Sequence, residues 1–392
     1  MSTQTSHVSG SAPRHVLIAG AGIGGLTLAC ALRGAGLSAT VFERAEALRP
    51  VGAGITVQMN AMAALRSLGL ADAVAEAGAS MSSAAMRNPS GQKLSSLAFE
   101  ALQREFGVPV IAIHRARLQA VLLAHAGEEH VHLGRAVKGL HDDGQKVTVE
   151  LSDGSTATGD LLVGADGLHS VVRREVLGDA PLRYSGYTSW RGVAKAASLV
   201  EPGATSETWG PGARFGIVPI GHGEVYWFAT QNAPAGGRDE PGRARAHLLE
   251  RFGGWHAPIA GLLEATAEEH IVRTDINDRP PVEHWSKGRV TLLGDAAHPM
   301  TPNMGQGGCQ AMEDAVVLAG CLAREADVPS ALAAYERRRI ERANSFVSRS
   351  FQFGRLTQME SAAGRFVRDT LMRLMPASAT ANQVRAIMDF TP

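Results

Sequence analysis

The sequence predicts an α/β fold: a parallel sheet flanked by helices, an inserted and mainly antiparallel second sheet, and a helical C-terminus. Three observations carry this. An apolar strand pattern, a glycine-rich turn and a helical pattern follow one another between 15 and 36. Between about 184 and 230, strand-like segments alternate with Gly and Pro, and at 289–293 a buried-strand pattern returns before a helix-rich stretch over 307–341.

In chain order, HVLIA at 15–19 reads as a strand, and the apolar spacing of LTLACALRGAG reads as a helix closed by Gly34 and Gly36. LSATVF at 37–42 is a second strand that ends at Glu43 and Arg44, completing a unit of about 30 residues. Helices are expected over 60–70 and 115–126, the latter after the strand-like VPVIAI. KVTVEL at 146–151, the Asp153-Gly154 turn and LLVGA at 161–165 read as strands around a hairpin. YTSWRGVA, ARFGIVPI and EVYWFATQ read as sheet, RVTLL at 289–293 as a buried parallel strand, and the last 50 or so residues as amphipathic helix with loops. APAGGRDEPG at 233–242 reads as a loop.

Composition narrows the function. The 392 residues, 45% hydrophobic, suffice for two or three domains with a core that needs no disulfide or metal staple. Lys and Arg number 38, as do Asp and Glu, so no net field attracts nucleic acid or an anionic membrane at long range. Cys30, Cys309 and Cys321 lack CxxC spacing, which suits reduced thiols, and no metal cluster is visible. The opening MSTQTSHVSGSA reads as a frayed tail and not a signal peptide, and no apolar run approaches the roughly 18 residues that span a bilayer. The expectation is a cytoplasmic monomer or homodimer without stable membrane insertion.

The glycines of the first turn carry chemistry. Gly20 permits the tight turn, Gly22 lets the backbone approach a pyrophosphate and Gly25 allows close packing of helix on strand, with Gly24 in the same turn a further cofactor-binding candidate. The helix start offers unpaired N–H groups to an anion. Glu43, 18 residues after Gly25, can accept hydrogen bonds from an adenosine ribose. Asp295, after the strand at 289–293, can accept from ribityl or ribose hydroxyls or cap a helix. The following PNMGQGG can pass close to a flat ring, and a helix beginning near Gly307 can aim N–H groups at developing negative charge. His298 reads as a packing residue.

Gly164, Asp166 and Gly167, with Ser170 and Arg173 behind them, resemble the DG fingerprint of the class A FAD-dependent monooxygenases, or aromatic hydroxylases. Gly294, Asp295 and His298, followed by Pro302, Gly305, Gly307 and Gly308, resemble that family's second FAD fingerprint. With the first glycine turn, the three motifs stand in the family's order and cover nearly the whole chain. Their wording is nearest to the urate hydroxylase and zeaxanthin epoxidase branches.

The resemblance implies a Rossmann-like FAD-binding domain of the GR2 type, built from 13–85, 110–180 and 276–340. Residues 86–109 and 181–275 would form the substrate domain, and 341–392 a helical C-terminal region. It implies that Arg115 sits near the FAD pyrophosphate, that Asp166 belongs to the cofactor site, and that the loop 51–55, including Gly54, flanks a mobile flavin ring. The implied reaction consumes NADH or NADPH and O2 through a flavin C4a-hydroperoxide, hydroxylating a phenol, quinolone or purine-like substrate. Epoxidation of an electron-rich alkene is the alternative. Only one strand, GxGxxG and helix unit is present, which disfavours a two-domain pyridine-nucleotide reductase.

The sheet region concentrates Trp190, Arg191, Trp209, Arg214, Phe215, Tyr226, Trp227 and Phe228, and strand alternation lets about half of them face a substrate. Arg214 and Tyr226 resemble substrate-orienting positions of the urate hydroxylases and are the catalytic candidates. Asn303 stands where those hydroxylases carry Asp, which argues against urate itself. A flavin halogenase is disfavoured by the absence of a WxWxIP stretch. A non-catalytic binding protein on the same fold is the rival of a different class.

Overall fold

The computed structural model describes residues 15–48 and 53–391; the opening tail and Val51 and Gly52 of the loop at 51–55 lie outside them. A six-stranded sheet is ordered Ser286–Lys287, Val290–Leu292, Leu161–Gly164, His15–Ala19, Ser38–Phe42, Val131–His132, and is parallel except at the first pair. Leu161, Leu162, Val163 and Gly164 are buried in succession, as a strand covered on both faces requires. That places Leu161–Gly164 beside His15–Ala19, and the hairpin partner of Val147–Leu151 is Thr156–Gly159 instead. The expected hairpin therefore closes one strand earlier than the apolar run suggested.

The helix Ile23–Gly34 crosses the helix Gly307–Arg324 where Gly24 leaves room. A Cβ on Gly24 would stand 2.6 Å from Leu293 Cδ2 and 3.1 Å from Ala311 Cβ. Gly25 is tighter still, since its Cβ would stand 2.0 Å from the Gly20 carbonyl oxygen.

The second large sheet has seven strands, ordered Val272–Asp278, Arg183–Ala194, Glu224–Asn232, Ala213–Gly221, Ala204–Gly210, Ser83–Arg87, Lys93–Ala98, with only the Ala204–Gly210 and Ser83–Arg87 pair parallel. Its register sorts the aromatic residues. Trp190, Phe215 and Trp227 share the outer face and pack with Leu248, Phe252, Leu262 and Leu263 of two covering helices. Arg191, Trp209, Arg214, Tyr226 and Phe228 share the opposite, inner face. The three outer aromatics are thus core residues and not substrate wall, because alternate residues of a strand point to opposite faces.

Three helices close the chain: Val328–Thr357, Ala362–Leu374 and Ala377–Met388. The first anchors a buried ionic network. Arg339 donates to Asp314 Oδ1 at 2.7 Å and to Glu313 Oε2 at 2.5 Å, while Arg342 donates to Glu313 at 2.8 Å. Asn60 adds a 2.6 Å bond to Glu313. His298, its ring tilted against Trp285, meets Asp314 Oδ2 at 2.6 Å, so it is packed, as its sequence context suggests, and also paired. The three cysteines are buried and unpaired, and burial pushes the Cys30 and Cys309 thiols up to about 12.

Burial alone would raise the Asp314 carboxyl, but the charges and hydrogen bonds of His298 and Arg339 outweigh it and hold it down at about 2. A depressed carboxyl contributes stability above its unfolded value near 4 and loses it as pH falls toward 2. Asp314→Asn is expected to lose about 3–5 kcal/mol in denaturant unfolding at pH 7, because it leaves Arg339 partly unpaired. It should also flatten the fall in stability between pH 4 and pH 2. Wild-type stability with the wild-type acid slope would contradict the assignment.

Candidate cofactor and substrate site

Between the two crossing helices and the ends of the parallel strands lies a cleft of about 400 Å³. It gathers Gly20, Gly22, Gly24, Glu43, Arg44, Arg115, Asp166, Asp295, Gly307 and Gly308 from six separate stretches of chain. Gly20 has φ +106, and its Cβ would stand 2.5 Å from the Ala165 oxygen, so a side chain is excluded twice over. Gly22 differs: a Cβ there meets nothing within 4 Å and would project into the cleft.

The electrostatics of the cleft are cationic where backbone meets it. Ile23–Gly34 and Gly307–Arg324 both start at its wall, and neither has a side-chain cap. Their first N–H groups therefore lack intrahelical partners and bring the positive ends of two helix dipoles together. Arg115, the first residue of Arg115–Ala126, is exposed to the cleft and makes no ion pair among the described residues. This donor set suits a pyrophosphate.

Glu43 is fixed at the strand end by accepting from Ala21 N at 2.8 Å and Ala45 N at 2.9 Å. Asp295 follows the strand Val290–Leu292, is exposed to the cleft and accepts no hydrogen bond among the described residues; the short helical turn that holds it is capped at Leu293 and not by Asp295. Asp295 and Glu43, both on the cleft, offer carboxylates that suit sugar hydroxyls. Asp166 also borders the cleft, but its carboxylate caps Val171–Leu177, accepting from Ser170 Oγ and from Val171 N at 2.8 Å. Burial raises its carboxyl against those bonds. Arg173 does not pair with it and donates instead to the Ala296 and Ala297 carbonyls, both at 2.7 Å.

Gly25, Gly54, Pro302 and Gly305 do not line the cleft. Gly25 is consumed by helix packing. Gly54 lies against the Tyr226 ring, where a Cβ would come within 2.5 Å of Tyr226 Cγ. Pro302 opens a short turn whose Met304 and Gly305 carbonyls accept from Gln58 Nε2 at 2.9 and 3.2 Å. Gly54, against Tyr226, and Gln58, bonded to this turn, thus bring one short stretch of chain to both the inner sheet face and the turn.

Arg214 lies deeper on that face and is 2% exposed. It donates to Asn303 Oδ1 at 2.6 Å, Gln358 Oε1 at 2.9 Å, Glu207 Oε1 at 3.1 Å and Thr230 Oγ1 at 3.3 Å. Asn303 also accepts from the Tyr187 hydroxyl at 2.9 Å and donates to Thr301 Oγ1 and the Ser350 carbonyl. Tyr226 and Arg191, by contrast, have no hydrogen-bond or ionic partner among the described residues. Sequence reasoning did not mark Tyr187, Glu207 or Gln358, nor Lys138 and His169 on the cleft rim. Of the partners of Arg214, Asn303 alone stood in a motif readable in the sequence.

The cleft glycines separate binding from folding. Gly22→Val is expected to fold with wild-type thermal stability yet fail to hold FAD by absorbance, because its side chain fills the cleft and strains nothing else. Gly25→Ala is expected to destabilise the fold itself. Arg115→Ala should weaken FAD about tenfold or more without a stability change. A Gly22→Val protein that binds FAD normally would rule out the proposed cradle.

The FAD binding domain family matches residues 14–350. Over 377 residues, the chain is 54% identical to the aurachin C monooxygenase/isomerase of Stigmatella aurantiaca, covering 96% of this chain and 98% of that one. It is 41% identical to the chloroplastic zeaxanthin epoxidase of Nicotiana plumbaginifolia, over 83% of this chain and 52% of that one. The crystal structure of Klebsiella pneumoniae HpxO with FAD and uric acid superposes with a TM-score of 0.91 at 32% identity, covering 97% and 98% of the two chains. The expected fold, the FAD cofactor and the enzyme class agree with these matches, and the non-catalytic alternative does not. On the cleft geometry and these similarities together, the chain belongs to the class A FAD-dependent monooxygenases.

Proposed function

We propose that the chain oxygenates an electron-rich aromatic or heteroaromatic small molecule held between the turn at 302–306 and the inner face of the seven-stranded sheet. The observation that carries this reading is the Tyr226 phenol. Its ring lies over Gly54, its hydroxyl is unpartnered among the described residues, and Arg191 stands on the same face, equally unpartnered. A ring bearing an ionisable hydroxyl or nitrogen fits that pair, since the cation favours the more nucleophilic substrate anion and the phenol donates to it. Burial pushes the Tyr226 phenol up against the lowering effect of Arg191, so it stays a proton donor at neutral pH.

FAD, when bound, supplies the redox chemistry, with electrons from NADH or NADPH and oxygen from O2. The residues of the chain position and exclude. In this reading Glu43 and Asp295 hold sugar hydroxyls, Arg115 and the two helix starts hold phosphate, and Asp166 shapes the rim through its cap. Arg214 acts as a positioning residue: it orients the Asn303 amide and ties the sheet to Gln358 at the end of the long helix. The sheet and the pinned turn keep water from the reacting centre. Asn303 is neutral, and Glu207 balances the Arg214 charge, which supports a larger apolar ring over urate.

The test is oxidation of NADH or NADPH by the purified yellow protein with a panel of phenols, quinolones and purines. One class is expected to accelerate oxidation and to leave as a product carrying one added oxygen; no acceleration by any member contradicts the reading. Tyr226→Phe and Arg191→Met should keep flavin, lower kcat/KM about 10- to 1000-fold and divert reducing equivalents to hydrogen peroxide. Full coupling in both variants would remove these residues from the substrate site.

A further inference from the structure

We infer that the helix Ala362–Leu374 docks on an anionic lipid surface. Phe366, Val367, Leu371 and Leu374 are 70%, 55%, 61% and 73% exposed, and at 100° per residue they fall on one side of the helix. Arg368 and Met372 occupy the other side, with Arg368 buried. Leu356, in the preceding helix, and Met375, directly after this one, are exposed as well. Isolated exposed apolar residues are ordinary, but six on and beside one helix form a patch that water disfavours. No described helix is long and apolar enough to cross a membrane, so this one suits the interface plane.

Charge selects the partner. The chain as a whole is neutral, yet residues 349–375 carry Arg349, Arg355, Arg365, Arg368 and Arg373 against only Glu360 and Asp369. Arg368 pairs with Asp369 at 2.8 Å, which leaves four arginines against one carboxylate in this stretch. Anionic headgroups complement that surface. A second copy related by a two-fold axis would instead set arginines against arginines.

The helix also adjoins the inner sheet face. It follows directly on Gln358, which accepts from Arg214 and whose carbonyl accepts from Asn232 Nδ2 at 3.1 Å. The Arg368 guanidinium lies 5.1 Å from the Trp209 ring centre, on the face that Arg214 shares. Docked on lipid, the helix would bring that chamber beside the acyl layer, a route suited to an apolar substrate. The docking itself goes beyond the proposed reaction and does not rest on it, so vesicle binding is measured without turnover.

The test is sedimentation of the full-length, flavin-loaded protein with vesicles of phosphatidylcholine alone or with about one-third phosphatidylglycerol, at low and high salt. The protein is expected to pellet with the anionic vesicles at low salt and to be released by high salt. Phe366→Asp combined with Leu371→Asp should lower partitioning at least about tenfold, with unchanged flavin absorbance and thermal midpoint. The inference is overturned if the wild-type protein stays in the supernatant with anionic vesicles, or if the double variant pellets equally. A wild-type dimer that the variant converts to monomer in sedimentation velocity would also overturn it, since the face would then belong to a second copy.

Discussion

The cleft depends on two carboxylates that are taken wholly out of water. Glu313 and Asp314 sit two turns into the helix Gly307–Arg324, each 0% exposed, and Arg339 of the next helix bonds both. Asp314 also accepts from Gly294 N at 3.0 Å. The same carboxylate that locks the two helices together therefore fixes the backbone turn just before Asp295. Glu313 reaches the other way through Asn60 and Gln310 to Gln306, the residue that precedes the helix start. A buried pair of this kind is weak evidence for net stability, because desolvation offsets much of its attraction. Its consequence here is geometric: it sets where the open N-terminus of that helix stands.

Against that fixed terminus the glycine loop supplies the second. Gly24 and Gly25 have no room for side chains, so the helix Ile23–Gly34 packs closely on both Leu293 and the strand His15–Ala19. Gln119 holds the loop from below by donating to the Ala21 carbonyl at 2.7 Å. Two helix starts then face one opening, and Arg115 adds a full charge to their partial ones. The inner sheet face, where the substrate is proposed to bind, is built differently. Its polar residues are side chains on a sheet face, oriented by Asn303 and by a close backbone approach at Gly354, whose Cβ would stand 2.4 Å from Asn303 Nδ2.

Local chemistry made part of this legible in the sequence. The strand, glycine turn and helix, the strand ending at Glu43, and the helix start at Gly307 each require particular residues within a few positions of one another, and all are found there. What the sequence withheld is non-local. Nothing near Asp314 signals a partner 25 residues away in Arg339, and both read as ordinary charges on a helical pattern. Likewise Trp190 and Arg191 are neighbours in the chain but opposite in fate, because the register against Glu224–Asn232 decides which one lies on the inner sheet face. Asp166 was read through a resemblance, and only its hydrogen bonds reveal that the carboxylate is spent on a helix cap.

In the proposed reading, two uncapped helix starts and Arg115 make this cleft a cradle for a pyrophosphate. Titrating FAD and riboflavin separately into the flavin-free protein, with flavin fluorescence and thermal midpoint as readouts, tests it most directly. FAD is expected to bind one per chain and raise the midpoint with concentration, as a ligand specific to the folded state must. Riboflavin, which lacks the phosphates and the adenosine, should bind at least about a hundredfold more weakly, given several charge-assisted hydrogen bonds lost. Equal affinity for the two would contradict the account, because the cleft would then be reading the flavin ring alone.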